Sequence, residues 1–206
     1  MLQLILKKFE LNTPILIEEL NSLLKQFSKA RIYQLINKLI ESGELVRFNH
    51  GVYYLPKNTE IGPSRLNVRE IIKKKYISNK EKVYGFYGGA YLLNQLGFST
   101  QVPNVVEIYT NNESTRLRRI SLDNQNIVLK KCRVKINKNN YKILQLLELL
   151  NILSINDIEK NSCIIKEFIT NNNIDNKEII KYLKFYPAKT TKNFLICEGE
   201  NVFTRK

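Results

Sequence analysis

The residues of this chain whose types and spacing suit chemistry are mainly those that contact phosphates and base edges. Between Ser28 and Gly43, Ile32, Leu35, Ile36, Leu39 and Ile40 recur at the spacing of a helix with one buried face. The opposite face carries Lys29, Tyr33, Gln34, Asn37, Lys38 and Glu41, with Arg31 toward its edge. Asn and Gln can bond adenine through two hydrogen bonds, and Lys or Arg can bond guanine, so this face suits base reading. Shortly after it, Arg47, Asn49 and His50 gather around a turn from which they can reach the DNA backbone or minor groove. A second cationic set lies far downstream: Arg116, Arg118, Arg119, Lys130, Lys131, Arg133 and Lys135. Mutual repulsion within such a set calls for an anionic counterpart, either nucleic acid or an acidic protein face.

Reaction chemistry finds less support. His50 is the single histidine, which leaves a Ser-His-Asp triad or a histidine-rich zinc site no other place to form. Cys132, Cys163 and Cys197 are odd in number and widely spaced, arguing against a disulfide framework and for reduced thiols in the cytoplasm. A metal-dependent nuclease needs grouped carboxylates, yet residues 81–142 hold only Glu81, Glu107, Glu113 and Asp123, with no close pair. The expectation is therefore a binding protein without catalytic residues, metal or cofactor.

The charge is unevenly placed. The 206 residues carry a formal charge of +14, distributed as +7 over residues 1–80, −2 over 81–115, +8 over 116–142 and +1 over 143–206. Two blocks thus hold the excess, and they contain the two cationic sets above. No apolar run approaches the roughly 20 residues of a membrane span, and Lys7 and Lys8 interrupt the apolar start before a signal-peptide core can form. A cytoplasmic protein with no membrane partner is expected.

The elements that must position these residues follow from periodicity and punctuation. Thr13-Pro14 reads as a helix start, with Ile15, Ile17, Leu20 and Leu24 on its apolar face. Ser28 caps the second helix and Gly43 ends it. Two β-rich runs, Glu44–Phe48 and Val52–Leu55, flank the turn at Asn49-His50-Gly51. Helix, turn, helix and hairpin in this order predict a winged helix-turn-helix over residues 1–58, the second helix entering the major groove.

The remainder, residues 59–206, predicts an α+β domain. Pro56–Pro63 is a polar connection, and Asn67-x-x-Glu70 opens a helix over Val68–Ile77. Tyr84–Gly97 begins with aromatic and glycine residues and continues as a helix; Gly88-Gly89 fits no phosphate-loop pattern and signals close backbone packing instead. Val105–Thr110 reads as a strand, as does Ile127–Ile136, where Cys132, Val134 and Ile136 alternate with Lys131, Arg133 and Lys135. Tyr141–Leu153 is a helix apolar on nearly all sides and must be buried. Two further helices begin near Asn156 and Asp175, Tyr186-Pro187 stops the last, and a short strand is expected at Asn193–Cys197.

The segment Tyr84-Gly85-Phe86-Tyr87-Gly88-Gly89-Ala90-Tyr91-Leu92-Leu93-Asn94-Gln95-Leu96-Gly97, then Ser99–Pro103 and Tyr109-Thr110-Asn111, resembles the AbiE-type antitoxin family of bacterial type IV toxin–antitoxin systems. So does Leu39-Ile40-x-x-Gly43-Glu44-Leu45-Val46-Arg47 leading into Gly51-Val52-Tyr53-Tyr54. The likeness covers roughly residues 10–140. It implies a winged-helix domain that binds double-stranded DNA at the promoter of its own operon, and a second domain that opposes a nucleotidyltransferase toxin without necessarily holding it in a stable complex. The reading is thus an autorepressor and antitoxin. The alternatives are a plain winged-helix regulator, an adaptor whose second domain binds RNA or an acidic protein, and, more distantly, a nuclease.

Overall fold

In the computed structural model, which describes residues 2–60 and 62–199, the chain is α+β and divides between Lys75 and Tyr76. The first unit runs α1 (Leu2–Lys8), β1 (Ile15–Leu16), α2 (Ile17–Leu23), α3 (Lys29–Glu41), β2 (Val46–Asn49) and β3 (Val52–Tyr54). Thr13 and Pro14 do not open a helix. The Thr13 hydroxyl donates to Glu10 O at 2.8 Å, and Ile15 and Leu16 instead form β1, antiparallel to Tyr53 and Val52. α2 then starts at Ile17, its first turn closed by Glu19, whose carboxylate accepts from Leu16 N–H at 2.9 Å. Long-range strand pairing has won over a local capping signal, as it can when the extended residues gain a ladder and a core face.

α3 forms as its spacing predicts. Ser28 Oγ accepts from Arg31 N–H at 3.3 Å, and Gly43, at φ +76°, supplies the left-handed residue that ends the helix. Ile32, Ile36 and Leu39 pack with Ile5, Ile15, Leu20, Leu24, Leu45, Tyr53 and Leu55 in one core. The hairpin completes a three-stranded sheet ordered β1-β3-β2, with a bulge between Arg47 and Asn49 that puts Phe48 out of register.

Residues 59–75, expected with the second domain, belong to this first unit. A minimal hairpin of β4 (Asn58–Thr59) and β5 (Gly62–Pro63) leads to Ser64, which donates to Asn12 Oδ1 at 2.9 Å. α4 (Val68–Ile72) is capped by Asn67, which accepts from Arg69 N–H, and continues as a π-helical turn over Lys73–Ile77. Within that turn Lys74 Nζ donates to Pro14 O at 2.6 Å and lies 2.7 Å from the Glu19 carboxylate. These contacts bind the segment to the start of the chain, which no local pattern announces.

The second unit contains a four-stranded mixed sheet. β6 (Gly85–Gly88), α5 (Gly89–Gln95), β7 (Val105–Thr110), β8 (Leu117–Leu122) and β9 (Gln125–Lys131) give the order β6-β7-β9-β8, antiparallel except for the central β7–β9 pair. β8 and β9 close through Asp123 and Asn124, both at positive φ, a two-residue turn whose twist suits a hairpin. β9 stops at Lys131, short of the predicted Ile136. Beyond it the chain bends at Arg133 and Val134 and leaves the ladder, and hydrogen bonds of its backbone go to side-chain amides. Asn111 exchanges two bonds with the backbone of Ile136, at 2.7 and 2.9 Å, and Asn140 donates to Lys135 O at 3.0 Å.

Helices α6 (Tyr141–Ile152), α7 (Ile155–Lys160), α8 (Ser162–Asn171), α9 (Asn176–Leu183) and α10 (Ala188–Gly199) complete the unit. α6 is buried from Ile143 to Leu150 and, with Phe86, Leu92, Ile165, Phe168 and Phe194, forms the core. Asn161 divides the region read as one helix into α7 and α8, and Ser154 and Asp157 cap each other reciprocally at the start of α7. The expected strand at Asn193–Cys197 is instead part of α10, which begins just after Pro187. Thr190, Asn193, Phe194 and Cys197 are its buried residues, a helical spacing hidden because two of the four are polar.

Candidate nucleic-acid interface

The six residues singled out on α3 (Lys29, Arg31, Tyr33, Gln34, Asn37 and Lys38) are all exposed. They do not act as one row. Arg31 Nη1 donates to Gln34 Oε1 at 3.2 Å, so those two hold each other along the helix. Tyr33 and Asn37, one turn apart, face a hollow of about 320 Å³ between α3 and the β2–β3 hairpin. Arg47 and His50 line the same hollow from the hairpin, with Glu18, Gly51, Tyr53 and Lys75 around them. Two groups distant in sequence are thereby brought together, while Lys29, Lys38 and Asn49 stay outside the hollow.

The hairpin's local geometry explains how its side chains are held. Arg47 lies opposite Tyr53 across the β2–β3 ladder, which puts both on one face of the sheet. Burial pushes the Tyr53 phenol above its ordinary range; the nearby Arg47 charge opposes this and Tyr33 adds to it. Arg47 Nη2 lies 3.2 Å from His50 Nδ1, and His50 N–H donates to Asn49 Oδ1 at 2.6 Å. Gly51, at φ +73°, turns the chain, and its carbonyl accepts from Ile17 N–H at 2.9 Å, fixing the turn to the start of α2. Tyr53 and Glu18 were missed in the sequence because a strand aromatic reads as core and an acidic residue early in a helix reads as a favourable dipole contact.

The second cationic set is more divided than its sequence suggests. In the β8–β9 register, Arg118 pairs with Leu129 and Arg119 with Val128, so these adjacent arginines project from opposite faces of the sheet. Three of the seven cations have carboxylate partners in their own unit. Arg118 Nε is 2.8 Å from buried Glu113, Lys130 is paired with Glu107, and Arg133 Nε lies 3.8 Å from buried Glu148. Lys130 and Arg133 also lie over the rings of Tyr109 and Tyr186. Arg116, Arg119, Lys131 and Lys135 are exposed. The anionic counterpart inferred from the sequence is therefore met in part from within.

Glu148, 3% exposed, is a buried carboxylate on the mostly apolar α6. Burial raises its carboxyl above the usual range, opposed by the Tyr109 phenol, the Arg133 charge and the Tyr186 phenol. Cys132 in the same cluster is pushed up to about 11, chiefly by burial, and is held as a thiol. No disulfide joins the three cysteines: Cys163 is exposed and Cys197 buried. Among the described residues, no group of three or more His, Cys, Asp or Glu side chains is placed to hold a metal ion. Nor is any described helix long and apolar enough to cross a membrane.

The tight glycines of Tyr84–Gly97 are explained by packing. A Cβ on Gly85 would lie 2.0 Å from Tyr76 O, one on Gly88 2.5 Å from the Tyr109 ring, and one on Gly89 2.3 Å from the Glu107 carboxylate. They place β6 and α5 directly against the backbone and the charged pair of the sheet, as close packing required.

The first unit is thus a small body of helices around a three-stranded sheet, with polar groups of a helix and a hairpin converging on one hollow; the second is a mixed sheet with a helical C-terminal region. The chain belongs to a family of unknown function, DUF6088, which it matches over residues 5–185. No curated protein and no solved structure matches it.

Proposed function

We propose that the first unit is a winged helix-turn-helix that binds double-stranded DNA, and that the chain is a cytoplasmic autorepressor and antitoxin of a type IV toxin–antitoxin locus. The observation that carries the DNA part is the convergence of Tyr33 and Asn37 from α3 with Arg47 and His50 from the hairpin on one concave surface. A helix that presents amide and cationic groups beside a hairpin arginine suits base reading by the helix and backbone contact by the hairpin. The element order, helix, strand, helix, helix and hairpin, supports the same reading. The antitoxin role rests on the resemblance of Tyr84–Gly97 and its neighbours to AbiE-type antitoxins, with a nucleotidyltransferase toxin as the opposed partner.

A gel shift on the DNA upstream of the chain's own gene tests the repressor role: that duplex should be retarded at concentrations that leave random sequence free. Equal retardation of both would refute it. Asn37→Ala should reduce discrimination between cognate and random duplex by about 1–3 kcal/mol, whereas Arg47→Ala should weaken both alike.

A further inference from the structure

We propose that the hollow between α3 and the β2–β3 hairpin seats one phosphodiester of the DNA backbone, that Arg47 holds it, and that His50 is a positioning residue that aims Arg47. This rests on the DNA-binding reading and adds to it the ligand group and the division of labour between two hairpin residues. A guanidinium only donates hydrogen bonds, so in the 3.2 Å contact with Arg47 Nη2 the His50 Nδ1 atom is the acceptor. That requires the neutral imidazole with its proton on Nε2. The contact engages one N–H of Arg47 and leaves the rest of the fork for a phosphate, which it matches in geometry.

His50 can orient Arg47 because its own backbone is fixed. Its N–H is bound to Asn49 Oδ1, and the adjoining Gly51 carbonyl is bound to Ile17 N–H. An exposed arginine otherwise samples many rotamers, all of which must be frozen on binding. The opposite wall supplies the Tyr33 ring and the Asn37 amide, and about 320 Å³ is room for a phosphate together with its sugar. Glu18 also lines the hollow and repels anions. It penalises a phosphate dianion, as on a free mononucleotide, more than the single charge of a phosphodiester, which favours the polymer backbone.

The test uses the full chain and a labelled duplex of its upstream DNA, read by fluorescence anisotropy across a salt series, with single phosphates replaced in turn by neutral methylphosphonates. One replacement should weaken wild-type binding and have no effect on Arg47→Ala, and Arg47→Ala should lower the slope of log affinity against log salt by about 0.9. His50→Ala should weaken wild-type binding by ~2–10-fold, the range set by ordering one long side chain. It should change nothing in an Arg47→Ala background, and His50→Gln, which retains an acceptor, should recover most of the loss. If His50→Ala weakens the Arg47→Ala variant as much as wild type, the positioning role is overturned. If no phosphate position couples to Arg47, or if a nucleoside monophosphate displaces the duplex in an Arg47-dependent way, the backbone seat is overturned. In both cases wild-type binding to the duplex keeps the DNA reading intact; absence of any duplex binding overturns both together.

Discussion

Glu113 and Glu148 are both buried in the second unit, yet their surroundings act on them in opposite directions. Burial works against the charged form of Glu113, but the Thr115 N–H and hydroxyl, Arg118 and the Ser114 N–H outweigh it, and the carboxyl titrates below its ordinary range. Its contribution to stability is present above the unfolded carboxylate value and is lost as pH falls through the depressed folded value. Burial dominates at Glu148 and raises it, so its contribution has the reverse sign: present at low pH and lost as pH rises through the raised value. Glu113→Gln should therefore lower the melting temperature at pH 7, with a deficit that shrinks toward acid. Glu148→Gln should gain on wild type as pH rises. Melts at pH 3 and pH 7 check the sign for Glu113 and melts at pH 5 and pH 8 that for Glu148, and parallel pH dependence of the two variants would contradict the assignment. Glu148→Ala differs from the amide change, because it opens a cavity beside Tyr109 and Tyr186 and should destabilise at either pH.

Elements with a strong local signal were legible, and those set by distant partners were not. α3, its Ser28 cap and its Gly43 terminus follow from spacing and end residues, as does buried α6. β1 was read as helix because its reason for being extended is Tyr53 and Val52, more than thirty residues away. The end of β9 was overrun because alternation of Cys132, Val134 and Ile136 persists in a bent segment outside the ladder, where backbone bonds go to Asn111 and Asn140. For the candidate site the exposed face of α3 and the hairpin cations were legible; the hollow that joins only some of them was not, since it depends on tertiary approach. The need for close packing at Gly85 gives a sharp element-level expectation. Its added Cβ would meet backbone carbonyls on two sides, Tyr76 O of the π-helical turn at 2.0 Å and Tyr109 O of β7 at 2.8 Å, and neither is the movable end of a flexible side chain. Gly85→Ala should destabilise by at least about 1–3 kcal/mol, read as a lowered denaturant midpoint, whereas Gly199→Ala, with no atom nearby, should leave it unchanged.

At the scale of the whole molecule, the +14 charge is an overestimate of what is offered to a partner. Arg118, Lys130 and Arg133 are answered by Glu113, Glu107 and Glu148 within the second unit, so the block that looked most basic in sequence is partly spent on holding its own fold. Charge reversal at Arg119 and Lys131 should therefore leave the melting temperature of the second unit nearly unchanged, while reversal at Arg118 should lower it by exposing Glu113 to an uncompensated burial. Equal stability losses in thermal melts would show that the paired and exposed cations are not distinct.

α10 lies beyond the family match, which ends at residue 185, yet it completes the core of the second unit. Phe194 and Cys197 fill that core, and the Asn193 amide donates to Leu150 O and Leu153 O at the end of α6. During synthesis the first unit has its last buried hydrophobic residue in hand by Ile72, whereas α6 emerges with only its β6 and α5 partners made and its remaining apolar surface uncovered until Cys197 has been made. The ribosome thus releases a folded first unit well before the second can close, and in that interval the Ile143–Leu153 stretch is the segment of the nascent chain most in need of a chaperone.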